Sequence, residues 1–326
     1  MMPLVPTALG DIQLSELGRT LSHEHLFMNL MLERRGDGLV HDEELLAEEL
    51  AVFAAQGGRT IFELTTAELN VGSTPAGPPE FDAGSGQTRN PRAVEGIQRI
   101  SRKTGINVLL GTGRYRDPYL RASVIDSLGV EGVAEEMIRD LTAGFPGTTA
   151  RAALIGEVGA DKWYISEQEA CVFRAAARAH RETGAVVYTH AARWEVAFEQ
   201  IDLLRREGVD PAKIAVGHVD TVPSADFVTR VAGTGVFVGV DTINSANLRE
   251  VRHRVQCVLE LVSHGYLDRV LLAHDVCLAS QLRSNGGNGF GFVLGGFRDA
   301  LLDAGLSETE FDEIVVMNPA RLLGHG

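Results

Sequence analysis

The chain has 326 residues, 44% of them hydrophobic, with a mean hydropathy of +0.01 and a formal net charge of −14. That acidic balance argues against a nucleic-acid partner, which is recognised through basic patches, and no run of about 18 apolar residues suggests a membrane span. Three widely spaced cysteines (Cys171, Cys257 and Cys277) read as buried thiols of a reducing compartment, and the opening residues lack a secretory layout, so a cytoplasmic protein is expected.

The first apolar run, 21–27, carries His23 and His25. Side chains alternate along a strand, so the two imidazoles point the same way and can chelate one borderline metal ion. Taken alone, the pair fits surface or core histidines equally well. Glu24, between them, faces the other side and reads as structural. Further strands are expected at 60–66, 107–113, 153–160, 185–192, 214–220, 235–243 and 269–275. Amphipathic stretches at 43–56, 91–104, 130–142, 166–183, 194–207, 223–233 and 247–264 lie between them as helices.

Several of these runs carry a residue able to bind metal. Glu157 lies inside the fourth, His190 in the fifth, His218 in the sixth and Asp275 at the end of the eighth. A buried carboxylate without a partner costs several kcal/mol or loses its charge. One shared polyvalent cation would account for all of these residues together.

Near-continuously apolar strands alternating with helices are the pattern of a parallel sheet covered on both faces. A single (β/α)8 barrel over residues 1–326 is expected, since that fold takes about 250 residues or more. A doubly wound open sheet is the alternative, but it would place its site at one switch point. Here the candidate residues recur near the C-terminal ends of five strands, where barrel enzymes build their sites. The Gly/Pro-rich segment 71–90 is expected as an inserted loop on that face, a lid or rim or a solvent loop. The glycine-rich 284–291 lacks the following lysine of a phosphate cradle. A flexible loop presenting Phe290 or backbone amides to substrate is expected there.

The chain resembles the phosphotriesterase-like family of the amidohydrolase superfamily. The likeness runs from Gly18-Arg19-Thr20-Leu21-Ser22-His23-Glu24-His25 to Asn318-Pro319-Ala320-Arg321-Leu322-Leu323. It includes Gly111-Thr112-Gly113-Arg114-Tyr115, Ile155-Gly156-Glu157-Val158-Gly159, Thr189-His190, Gly217-His218 and His274-Asp275. The resemblance implies a (β/α)8 barrel with a binuclear metal centre. His23, His25 and Asp275 would hold the more buried ion, and His190 and His218 the outer one. Where well-known members carry a bridging carboxylated lysine, this chain has Glu157, as in the branch of the phosphotriesterase homology and phosphotriesterase-related proteins. Lys162, five residues on, lies too far along the loop to replace it. In phosphotriesterases proper a histidine follows the seventh-strand aspartate and carries the proton away. Here the run is Val240-Asp241-Thr242-Ile243, which puts efficient organophosphate cleavage in doubt.

The expected function is a binuclear metal-dependent hydrolase in which a metal-bridging hydroxide attacks a small carbonyl substrate: a lactone, an ester or an N-acyl amide. The alternatives are a phosphoric triester or ester hydrolase and a non-catalytic small-molecule binding protein. Two divalent ions are expected, zinc first, with manganese, cobalt or nickel as replacements. Asp275 is the expected proton acceptor as well as a ligand. Its neighbour His274 should point away from the metals. Tyr115, Arg114, Arg193 and Asp241 are candidates for lining the substrate, and a homodimer is expected.

Overall fold

Eight short runs rich in Val, Ile and Leu pair in parallel, each with its chain neighbour, in a computed structural model that describes residues 3–70, 88–244 and 247–324. The strands are β1 (Arg19–Glu24), β2 (Gly58–Glu63), β3 (Asn107–Thr112), β4 (Leu154–Gly159), β5 (Val187–His190), β6 (Ile214–Gly217), β7 (Phe237–Val240) and β8 (Val270–Leu272). Helices α1 (Glu43–Ala55), α2 (Pro91–Thr104), α3 (Ala122–Thr142), α4 (Glu167–Thr183), α5 (Ala197–Arg206), α6 (Ala225–Ala232) and α7 (Leu248–Ser263) lie between them. Short helical pieces follow β8, among them Arg298–Asp303, and continue to Asn318–Gly324. The architecture is a (β/α)8 barrel.

Its interior is filled by side chains such as Phe62, Leu109, Leu154, Tyr188, Ala215, Phe237 and Leu271. A hairpin of Leu4–Thr7 and Gly10–Gln13 adds Val5 to this cluster, and the C-terminal segment adds Leu322. The larger apolar layer lies between strands and helices. Helix limits follow local chemistry. Ser166 and Glu169 form a capping box on α4, which ends at the left-handed Gly184, and Asn90 caps α2 ahead of Pro91. The helix expected at 130–142 begins earlier, at Ala122, and is broken at Gly129 (φ 60°, ψ −173°).

Side chains close the seam between β1 and β8. The Glu24 carboxylate accepts from the His274 N–H (2.8 Å), the His274 ring Nδ1 (2.8 Å) and the Val276 N–H (3.1 Å). Asp275 N–H donates to the His23 carbonyl at 3.1 Å, and Ser22 Oγ to that of Leu272 at 3.2 Å. Glu24 is fully buried, as a structural role requires.

Two expectations are corrected. Phe290 lies in a turn at Gly289–Gly291 and is fully buried in the helix layer, so it is not presented to substrate. Cys257 is buried, but Cys171 and Cys277 are partly exposed and Cys277 lines the pocket described below; all three are free. The inserted loop expected at 71–90 falls, for residues 71–87, outside the described residues. No helix among the described residues is long and apolar enough to cross a membrane.

Replacing Glu24 by Ala strands two buried backbone N–H groups and one imidazole N–H at the seam. A loss of about 3 kcal/mol in unfolding free energy is expected, measured by urea denaturation. An unchanged midpoint would mean that the seam is held by other contacts.

Candidate metal centre

The expected metal-binding residues converge at the C-terminal end of the barrel. His23 lies near the end of β1, His25 just beyond it, and Glu157 within β4. His190 ends β5, and His218 immediately follows β6. Asp275 lies three residues past β8, on the turn rather than the strand. Both His218 (φ 60°) and Asp275 (φ 53°) take the left-handed conformation that non-glycine residues seldom adopt. Such outliers gather where a fold must hold a side chain in place. Gly156 is required for a related reason: a Cβ there would run into the Tyr188 carbonyl.

Glu157 sits at the centre. Its Oε2 lies 2.8 Å from His190 Nδ1 and 3.3 Å from the Nε2 atoms of both His23 and His218. Its Oε1 lies 3.6 Å from His25 Nε2. Asp275 Oδ1 stands 3.1 Å from His25 Nε2 and 4.0 Å from His23 Nε2. Three groups of three lie close enough to hold a metal ion: His23, His25 and Asp275; Glu157, His190 and His218; and, beneath them, His23, His218 and Asp241. Glu157 spans the first two.

A second layer aims the rings. Asp241 receives His23 Nδ1 on Oδ2 at 2.8 Å, and His218 Nδ1 (3.0 Å) and backbone N–H (2.7 Å) on Oδ1. Tyr188 donates its hydroxyl to Oδ2 at 3.0 Å. Gly239 makes room for this carboxylate, since a Cβ there would stand 2.6 Å from Oδ2. His25 Nδ1 meets Thr65 Oγ1 at 3.0 Å, and Thr65 donates onward to Glu63, which pairs with Arg89. With their Nδ1 protons used in this way, His23, His25 and His218 turn their Nε2 atoms inward. His23 Nε2 and His25 Nε2 are buried without a hydrogen-bond partner. Buried polar nitrogens seldom stay unpaired, and a cation between them would satisfy both.

The charges carry the same signature. Burial alone would drive the proton from His23, but Glu157 and Asp241 outweigh it and raise its pKa to about 10. His218 is likewise raised, against its burial, by Asp241 and Glu157. His190 is pushed down to about 4 by burial and by His218 beside it. Glu157 and Asp241, though buried, are held well below the carboxylate range by the facing histidines. Without a metal, protons hold the place of the positive charge the site demands.

The remaining candidates divide. Tyr115 lines the pocket, its hydroxyl 3.4 Å from His190 Nδ1, and burial raises its pKa so that it stays a neutral donor. Arg193 also lines it. Arg114 does not: its guanidinium points into the helix layer and pairs with Glu68 and Glu136, each at 2.9 Å. Glu68 in turn accepts the Tyr115 N–H at 2.8 Å, so Arg114 supports the pocket wall from behind. Asp241 does not reach the pocket either, because it is used up beneath the histidines. His274 faces away from the cluster as expected, donating to Glu24 and accepting the Val293 N–H at 2.9 Å. Residues that sequence reasoning missed include Thr65, Glu63 and Arg89 behind His25, and Arg116, which pairs with Glu33 and Asp161 at the rim. The pocket above the cluster has a volume of about 430 Å³.

A profile of the Phosphotriesterase family matches residues 3–73 and 86–323. The Escherichia coli phosphotriesterase homology protein, whose crystal structure holds phosphate in its active site, superposes with a TM-score of 0.84 at 29% identity. That match covers 94% of this chain and 99% of the other. A lactonase from Listeria monocytogenes gives a TM-score of 0.80 at 25% identity, covering 98% and 99%. The N-acetyltaurine hydrolase of Danio rerio is 27% identical over 362 residues, covering 98% of this chain and 97% of its own.

The metal-free protein should show an unusual histidine titration. His23 is expected to stay protonated until the pH rises to about 10, and His190 to stay neutral until it falls to about 4. Ring-proton NMR of chelator-treated protein reads both, and two ordinary midpoints near 6.5 would show that the rings are not packed as described.

Proposed function

We propose that this chain, which belongs to the phosphotriesterase family and is a hydrolase, uses two divalent metal ions to cleave a small carbonyl compound, namely a lactone, an ester or an N-acyl amide. The observation that carries this reading is the convergence of two unpartnered Nε2 atoms with Asp275 and Glu157 at the pocket floor. His23, His25 and Asp275 would hold one ion and His190 and His218 the other, with Glu157 standing between the two sets. Zinc suits this mixture of imidazole and carboxylate, and manganese, cobalt or nickel can replace it. When bound, such ions supply Lewis acidity that activates water near neutral pH and polarises the substrate oxygen.

The protein's own groups do the rest. Asp275, whose side chain is the most exposed of the cluster, accepts the proton of the attacking water. The neutral Tyr115 hydroxyl faces the same space and can donate to the leaving group. Glu157 needs no carbon dioxide to assemble, and Lys162 stays exposed at the rim. Thr242, not a histidine, lines the pocket after Asp241, so no imidazole relays the proton from there. That favours carbonyl over phosphotriester cleavage, in keeping with the named activities of the lactonase and N-acetyltaurine hydrolase relatives. The phosphate in the Escherichia coli relative's site favours phosphoric ester hydrolysis as a second reading.

Elemental analysis after gentle purification should find two ions per chain, and chelated protein should regain activity from metal alone, without bicarbonate. Asp241→Asn removes a proton acceptor from under one of two rings and should weaken metal binding about 10–100-fold. One ion or none in the native protein would refute the binuclear reading.

Asp275→Asn should lower kcat by about 10²–10⁴ while retaining metal. His274→Asn should instead lower stability, since its ring joins Glu24 to Val293. A panel of lactones, esters, N-acyl amides and phosphoric esters read on these variants separates the two readings.

A further inference from the structure

The rim of the pocket is positively charged on a chain whose net charge is −14. Arg34, Arg116, Lys162 and Arg193 line it, together with the acids Glu33 and Asp161. Arg116 takes both acids, Glu33 at 3.0 Å and Asp161 at 2.5 Å. Arg34, Lys162 and Arg193 are left with no carboxylate partner among the described residues, and Lys162 is placed only over the Tyr164 ring, at 5.8 Å.

Arg193 is more than a solvated surface charge. Its backbone takes φ 69°, and its N–H donates to Thr221 Oγ1 at 2.6 Å. Thr221 donates in turn to the His218 carbonyl at 2.6 Å, which fixes the arginine's loop to the turn carrying a cluster histidine. Strain of this kind in a non-glycine residue is retained where position matters. Arg193 also stands between the pocket and a neighbouring groove of mixed charge, lined by Arg249, His253, Asp220 and Glu250.

We infer that Arg193, with Lys162, forms an anion subsite, and that the substrate carries a carboxylate, sulfonate or phosphate group remote from the carbonyl that is cleaved. Arg193 holds this group at the rim while the reacting carbonyl reaches the floor. The inference rests on the hydrolase reading above and adds the charge class of the substrate. Opposed to the acidic remainder of the surface, the rim concentrates anions at the entrance.

The test uses metal-loaded protein and matched probes: lactones, esters and N-acetyl amino acids, each with a free carboxylate and as the neutral carboxamide. The wild type should favour the anionic member of a pair by about tenfold in kcat/KM, chiefly through KM, the size of one charge-assisted hydrogen bond. The preference should shrink as salt rises. It should collapse toward unity in Arg193→Ala, shrink in Lys162→Ala, and persist in Arg151→Ala, whose side chain pairs with Asp11. No preference in the wild type, or one untouched by Arg193→Ala, overturns the subsite. If no probe is cleaved, the hydrolase reading fails on its own, and calorimetry with 1-propanesulfonate against propanesulfonamide still decides the subsite. Binding of the sulfonate alone, lost in Arg193→Ala, supports it; equal or absent binding of both overturns it.

Discussion

A carboxylate surrounded by four imidazoles at the floor of a closed barrel is the constraint on which the rest of this structure depends. Glu157 is almost wholly buried, and the atoms around it at 2.8–3.6 Å are all ring nitrogens. Such a cluster is costly unless the donor and acceptor requirements of every member are met. The barrel meets them with a lower tier of carboxylates. Asp241 holds His23 and His218, Glu63 holds His25 through Thr65, and Glu24 holds the seam beside Asp275.

That lower tier explains several features that otherwise look unrelated. Asp241 joins one histidine from each metal-binding set, so a change in one ring is felt by the other. The left-handed turns at His218 and Asp275 lift their side chains out of strand alternation and toward Glu157. Among the described residues, the β1–β8 seam is fastened mainly by side chains rather than a strand ladder, and it lies directly behind Asp275. Strain, closure and site geometry therefore share the same few residues.

Much of this was legible in the sequence. Polar residues of one chemical type, set into runs that are otherwise Val, Ile and Leu, marked both the strands and the site. Period-two alternation along β1 separated His23 from Glu24. Alternation says nothing, however, about residues just beyond a strand end. Asp241 and Arg114 were both placed on the substrate side, and both turn into buried ion networks instead. Thr65, Glu63 and Arg89 were missed because their roles depend on contacts between strands, which no local pattern encodes. Likewise, the glycines of 284–291 indicated bends but not that Phe290 between them would pack inward.

The most direct test of the central claim is anomalous diffraction from crystals of the metal-loaded protein, collected on either side of the zinc absorption edge. Two peaks are expected, one beside His23, His25 and Asp275 and the other beside His190 and His218, with the Glu157 carboxylate between them. A single peak, or a Glu157 side chain turned away from the metal, would contradict that claim.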